Sequence, residues 1–278
     1  MSVSIPVDHR VGLQWLNVDQ TRLLRAVDGL VQDAGARLGS DEIIPPALLP
    51  VSTLDAFDCY ENFPHLAFVA TTLDTKSPGS LTAIDDQAAS GEFAPTTLEA
   101  GLLGLPTAAC WGIYAALANQ QLPGNTLFST VNRCFRAEDH YEPLRRVLGF
   151  HMREIVAVGS FDFCSAHTAS FSARIVELCN ALRFDVQVEP GLDPFFDKEA
   201  PRAVFSKISP VKYEFVVDGI SIASINNHRT FFGVNSDIRV GADIANTSCV
   251  AFGLERWVSV LQSRGIVASD IKQLSSSF

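Results

Sequence analysis

The sequence predicts an α+β fold, a mostly antiparallel sheet flanked by helices. Three features predict it. Apolar residues at helical spacing recur near the start, over residues 19–38, and near the end, in GLERWVSVLQS. Between them lie paired runs rich in β-branched and aromatic residues: TLFSTVNRCFRAE with FHMREIVAVG, and VKYEFVV with ISIASI. No internal repeat runs through the 278 residues, so a single domain over 1–278 is expected.

Leu23, Val27, Leu30, Val31, Ala34 and Leu38 share one helical face, with Asp19 available as N-cap and Gly39 as the stop. This predicts an amphipathic helix over about 19–38. DEIIPPALLP, Asp41 to Pro50, is extended, because proline lacks an N–H and disfavours helix in the residue before it. An acidic stretch with Gly and Pro, Asp74 to Pro95, precedes PTAACWGIYAALANQ, an alanine-rich helix that has Cys110 near its start and ends at LPGN. The two runs that follow form a long hairpin. Strand side chains alternate between faces, so Arg136 and Glu138 share one face, and Phe150, Met152 and Glu154 form another like-facing set. Then come a helix around Ala166–Leu182, a strand in FDVQVE, and a hairpin turned at Asp218 and Gly219. SCVAF is a last strand that runs into the helix GLERWVSVLQS, and the SSSF tail is expected to fray.

Composition excludes several classes. At 47% hydrophobic and 19% charged, the chain can bury a large core. No apolar run approaches the ~20 residues that span a bilayer, and MSVSIPVDHR has no secretory pattern, so a cytoplasmic protein without a membrane partner is expected. Six scattered cysteines without a secretory signal point to reduced thiols or metal ligands. A net charge of -10 opposes binding to nucleic acid, whose affinity comes from cations on phosphates.

The order of the elements carries a resemblance. A helix with a proline-bearing extension (about 19–50), FRAE on a hairpin (about 129–158) and GLER at a strand-to-helix junction (about 246–262) resemble motifs 1, 2 and 3 of class II aminoacyl-tRNA synthetases. More narrowly, NFPHL, AACW, FHMREIV, KYEF, NNH and SCVAFGLERW resemble the amino acid:carrier protein ligases, shortened relatives of the atypical zinc-dependent seryl-tRNA synthetases. The similarity covers nearly the whole chain.

The resemblance implies that ATP, with Mg²⁺, activates a small amino acid as its adenylate. The aminoacyl group then passes to the phosphopantetheine thiol of a carrier protein. It implies catalytic roles for Arg136, at the α-phosphate and substrate carboxylate, and for Arg256, at the γ-phosphate. Glu138 would accept from the adenine amino group and Phe150 would stack on adenine. Lys212, Glu214 and Arg153 are implied at the substrate. Cys110, Glu154 and Cys249 are implied zinc ligands, leaving a fourth position for the substrate amine. The resemblance also implies a homodimer built on motif 1, and it leaves no room for a tRNA-binding domain, hence no tRNA partner.

Read as residues alone, the same positions have plainer explanations. Arg136, Glu138, Arg153 and Glu154 suit solvated cross-strand charges, Lys212 and Glu214 a surface pair, and Cys110 and Cys249 small buried apolar residues. Cys59, Cys134, Cys164 and Cys179 match no ligand position. Asn226 and His228, before Phe231 and Phe232, are expected to border the site, with His228 on its own reading as structural. Gly253 is expected where backbones approach closely. The chain departs from the ligase pattern at His151, where arginine is expected, at the loop DHYEPLRRVLG and at Phe68. Two other functions suit these motifs: a sensor of amino acid or nucleotide without turnover, and a ligase with another small-molecule acceptor.

Overall fold

The structure is a computed structural model that describes residues 12–200, 203–204, 210–274 and 278. MSVSIPVDHR and Ser275–Ser277 of the tail lie outside the described residues. Helix α1 (Val18–Arg37) leads to strands β1 (Asp41–Glu42) and β2 (Leu49–Pro50) and helices α2 (Val51–Ala56) and α3 (Cys59–Asn62). β3 (Phe68–Ala70), α4 (Ser80–Ser90), β4 (Leu103–Leu105), α5 (Cys110–Ala116) and β5 (Gln121–Leu122) follow. Next come the hairpin strands β6 (Thr126–Phe135) and β7 (Gly149–Gly159), helix α6 (Phe161–Ala181), and strands β8 (Gln187–Pro190), β9 (Lys212–Val217) and β10 (Ile220–Arg229). The described order closes with α7 (Phe231–Asn235), β11 (Arg239–Val240), β12 (Asp243–Ile244), β13 (Asn246–Gly253), α8 (Leu254–Ser263) and α9 (Ala268–Gln273).

Seven strands form the central sheet in the order β1-β6-β7-β13-β10-β9-β8. Every pairing in it is antiparallel except β1 with β6, as the expected α+β class requires. Because side chains alternate, the sheet has two cores. One lies under α1, α6 and α8 and includes Leu30, Ile155, Phe171, Phe252 and Trp257. The other lies under α5 and α7, beside Val156, Val158 and Cys249.

Helix α1 forms where its apolar spacing predicts. Asn17, not Asp19, is its cap: Asn17 accepts from the Gln20 N–H while the Gln20 side chain accepts from the Asn17 N–H. Asp19 lies inside the first turn instead, where a carboxylate favours the positive end of the helix dipole. Gly39 ends the segment at φ +81°, a conformation open to glycine. Burial of Leu23, Val27, Leu30 and Val31 contributes roughly 1.5–3 kcal/mol each. Gly35 sets how close the helix sits to the sheet, since a Cβ there would lie 2.6 Å from Ile155 Cδ1. Helix α4, in the stretch after Asp74, was not legible: Ser80 is its only buried residue, so no apolar stripe marks it. Helix α6 begins a turn before expected because Ser160 caps it by accepting from the Phe163 N–H.

Arg153, expected at the substrate, turns instead to the face opposite Glu154 and lines neither cleft described below. It lies on the α1 face of β7 and is 1% exposed. Its Nε donates to Asp28 of α1 (2.6 Å) and its Nη1 to Glu42 of β1 (2.6 Å) and to Ser129 of β6 (2.9 Å). A guanidinium so deeply buried must be paired, and here it fastens α1 and the two-residue β1 to the hairpin. Arg153→Met should therefore destabilise the fold by about 2–3 kcal/mol, below the range for a fully buried pair because Asp28 and Glu42 keep partial contact with water. Urea unfolding with an unchanged denaturant slope is the measurement. An unchanged midpoint would show that the network anchors nothing.

Candidate active site

The site occupies the face of the sheet opposite α1. Arg136 follows β6, and its Nε and Nη2 donate to the Thr107 carbonyl at 3.2 and 3.0 Å. The guanidinium carbon lies 5.2 Å from the centre of the Phe150 ring, a cation–π contact across the hairpin. Glu138 accepts from Arg146 at 2.8 Å. Arg256, at the start of α8, donates to the carbonyls of Arg145 (2.8 Å) and Ser221 (3.0 Å). These residues line one cleft of about 630 Å³. Burial first, and nearby Arg136 second, pull the Arg256 pKa below its ordinary value. An anion between the two arginines would relieve that repulsion.

A second cleft of about 780 Å³ adjoins the first, and Arg136, Met152 and Lys212 line both. Cys110, Glu154 and Cys249 meet in it. Cys110 opens α5, Glu154 is on β7 and Cys249 on β13, where Ala251 pairs with Glu154 and so places Cys249 two residues along on the same face. Their ligand atoms all lie within 4.8 Å of one another, and all three residues are buried. Glu154 Oε1 accepts from the Ala109 N–H at 2.8 Å, whereas Oε2 is buried without a hydrogen-bond partner. Burial pushes the Cys110 thiol well above its ordinary range and raises Glu154 as well. Two thiols and a half-satisfied carboxylate, sealed together, suit a thiophilic cation such as zinc.

Lys212 donates to Asp193 at 3.0 Å and lies 3.1 Å from Glu214. Burial disfavours its charge, yet the two carboxylates outweigh that and hold its pKa above the ordinary value. Lys212 therefore reaches both clefts, while Glu214 lines the first. Asn226 and His228 border the second, beside Phe232 as expected; Trp111 and Phe57 complete an aromatic wall there. Phe57 meets Trp111 edge-on at 5.9 Å and Phe232 at 5.2 Å.

One departure from the ligase pattern is accounted for and one expectation is corrected. His151 faces away from the clefts, bound to Glu255 through its backbone N–H (2.8 Å) and Nδ1 (2.7 Å). It orients the Glu255 carboxylate and does not supply a cation to a ligand. Gly253 lines the first cleft, but a Cβ there would come no nearer than 3.6 Å to Arg256, so no protein neighbour demands glycine. Asp193, Thr107 and Trp111 were not singled out in the sequence: Asp193 sits in an irregular segment, Thr107 acts through its backbone, and Trp111 reads as an ordinary core residue. The remaining cysteines are buried and free. Burial pushes Cys59 and Cys164 up to about 11, Cys179 to about 12 and Cys134 well above its usual value.

Two adjoining clefts thus lie on one face of an antiparallel sheet, one lined by a hairpin arginine and the other by a thiol cluster as well. This is the fold of the class II aminoacyl-tRNA synthetase catalytic domain. Superposition on M. kandleri SerRS, in its crystal structure with A. aeolicus tRNASec, gives a TM-score of 0.79 at 18% identity over 100% of this chain and 58% of that one. Pyrococcus horikoshii seryl-tRNA synthetase, complexed with ATP, gives 0.66 at 15% identity over 94% and 57%. The chain thus spans somewhat over half the length of these synthetases. It is a homologue of two curated Bradyrhizobium diazoefficiens proteins named "Amino acid--[acyl-carrier-protein] ligase" 1 and 2. With the first it is 28% identical over 228 residues, covering 78% of this chain and 69% of that protein; with the second, 29% over 221 residues, 76% and 66%. No family model matches the chain. Among the described residues, no helix is long and apolar enough to cross a membrane.

Proposed function

We propose that this chain is an ATP-dependent ligase that activates a small amino acid and transfers it to the thiol of a carrier protein. One observation carries the reading: Arg136 sits where the two clefts join. A nucleotide in the first cleft and an amino acid in the second would meet at that guanidinium. There the substrate carboxylate oxygen attacks the α-phosphorus of ATP, the bond to the pyrophosphate oxygen breaks, and an aminoacyl adenylate forms. In the second step the carrier's phosphopantetheine sulfur attacks the acyl carbonyl, AMP leaves, and a thioester results.

The residues have separate tasks. Arg136 neutralises the carboxylate and α-phosphate as they approach, and Arg256 holds the outer phosphates, whose charge Mg²⁺ would help to offset. Phe150 supplies a face for adenine and Glu138 an acceptor for its amino group. Lys212 and Glu214 line the approach to the substrate. Cys110, Glu154 and Cys249 would hold zinc, whose Lewis acidity selects an unprotonated amine. Carrier recognition accords with the homologues' names, and a net charge of -10 argues against a tRNA substrate. Free buried thiols and the need for ATP suit the cytoplasm. Exposed Trp15, Val18 and Ile44, at 47%, 61% and 72%, lie on or beside α1 and β1 and suit a two-fold homodimer contact.

Pyrophosphate exchange across a panel of amino acids tests activation. Exchange is expected with a small amino acid, and Arg136→Ala and Arg256→Ala should each lower it by at least ~10²-fold. Near-normal exchange in both folded variants would remove these residues from the chemistry; no exchange with any amino acid would favour a sensor. Mass spectrometry of a phosphopantetheinylated carrier should show the aminoacyl mass, released by hydroxylamine, with tRNA left uncharged. Elemental analysis should find about one zinc per chain, and Cys110→Ser should impair amino-acid activation more than ATP binding. Metal-free protein, purified without chelators, would end the amine-recognition reading. Sedimentation at micromolar concentration should give a dimer; a monomer would dismiss the α1 interface.

A further inference from the structure

His228 lies beside the thiol cluster and is not one of its three ligands. Its Nε2 is 3.7 Å from Cys249 Sγ, while its Nδ1 is 3.3 Å from the Tyr114 hydroxyl and 3.3 Å from the Thr247 hydroxyl. We propose that His228 donates its Nε2 hydrogen to the Cys249 thiolate, as a positioning residue that sets how tightly the site holds its metal. This rests on the metal reading above.

A thiolate at Cys249 would select the tautomer. A metal-bound thiolate carries no proton and only accepts, so a neutral imidazole bonded to it must present Nε2–H. Nδ1 is then an acceptor, and it faces two hydroxyls able to donate. Tyr114 is buried and stacked on Phe232 with ring centres 4.0 Å apart, which holds its hydroxyl in place. Phe232 also meets the His228 ring edge-on at 4.9 Å. The hydrogen bonds then run in one direction: a hydroxyl of Tyr114 or Thr247 to Nδ1, and Nε2–H to sulfur.

The backbone is bent to make this contact. The register of β10 against β13 shifts between Asn227 and Arg229, so His228 is the extra residue of a bulge. Arg229 takes φ +55°, a left-handed conformation that a non-glycine side chain disfavours. Bulges re-aim side chains beside active sites, and a strained residue persists only where its surroundings hold it. Asn226, on the same face, adds a second N–H to Cys249 Sγ at 3.7 Å. Two donors on one sulfur orient it toward the site, as outer-shell partners of a metal ligand do.

The test measures metal affinity without any substrate. Zinc is titrated into apo protein in competition with a chromophoric chelator, and cobalt(II) is bound in parallel to read the sulfur-to-metal charge-transfer band. His228→Ala should weaken zinc binding by about 10- to 100-fold and move the cobalt band to lower energy, because the sulfur lone pair loses its hydrogen bond. His228→Gln, which keeps an N–H donor, should recover part of both. Tyr114→Phe, a mild change in a core position, should give a smaller loss in the same direction. Unchanged affinity and band position in folded His228→Ala would overturn the proposal while leaving the three-ligand site intact. X-ray absorption showing a histidine nitrogen bound directly to the metal would overturn it too. A wild-type protein that binds neither metal would sink the metal reading and this inference together.

Discussion

The pleat of β7 is the constraint on which the rest depends. Arg153 and Glu154 are neighbours, so the strand must send one side chain to each face. Arg153 goes to the α1 face and is neutralised by Asp28 and Glu42. Glu154 goes to the cleft face and joins the two thiols. A one-residue slip of register would put the guanidinium among the cysteines and the carboxylate under α1, two buried charges without partners. Both ion clusters therefore specify the same register, and the β6 and β13 pairings on either side repeat it along the strand.

The site's electrostatics are local and run against the chain's net charge. Arg136, Arg145, Arg146, Arg256 and Lys212 converge on one cleft, although acidic residues predominate overall. Their charge is metered by nearby acceptors: Glu138 on Arg146, Asp193 and Glu214 on Lys212, and backbone carbonyls on Arg136 and Arg256. Arg136 and Arg256, the two residues proposed for the phosphates, are held by neutral oxygens. Their full charge remains available to an anion, which a salt bridge would have spent in advance.

Periodicity made the helices and paired strands legible, because α1, the β6–β7 hairpin and the β9–β10 hairpin each bury one face at the period of their own backbone. The cap at Asn17, the early start of α6 and all of α4 were not, since they depend on single hydrogen bonds or bury almost nothing. Motif order brought out Arg136, Phe150, Arg256 and the three cluster residues, which no local spacing could have joined. Motif order also misled at Arg153, because a match to a motif gives a position on a strand and not the face it turns to. Alternation from Glu154 already put Arg153 on the opposite side. Asp193 and the Thr107 carbonyl had no signal of their own: one lies in an irregular segment, and the other is backbone.

The burial of the remaining thiols has a chemical consequence of its own. In the proposed reaction, the activated acyl group must be kept from the enzyme's own cysteines. Cys134 pairs with Phe150 on the cleft face of β6, two residues before Arg136, yet it is buried, and burial raises its thiol pKa and leaves it a poor nucleophile. Cys59, Cys164 and Cys179 are inaccessible for the same reason. Metal coordination at Cys110 and Cys249 would occupy the two thiols that do line a cleft. In the proposed reaction, self-acylation would thereby be closed off from within, and the accepting thiol would come from outside the fold.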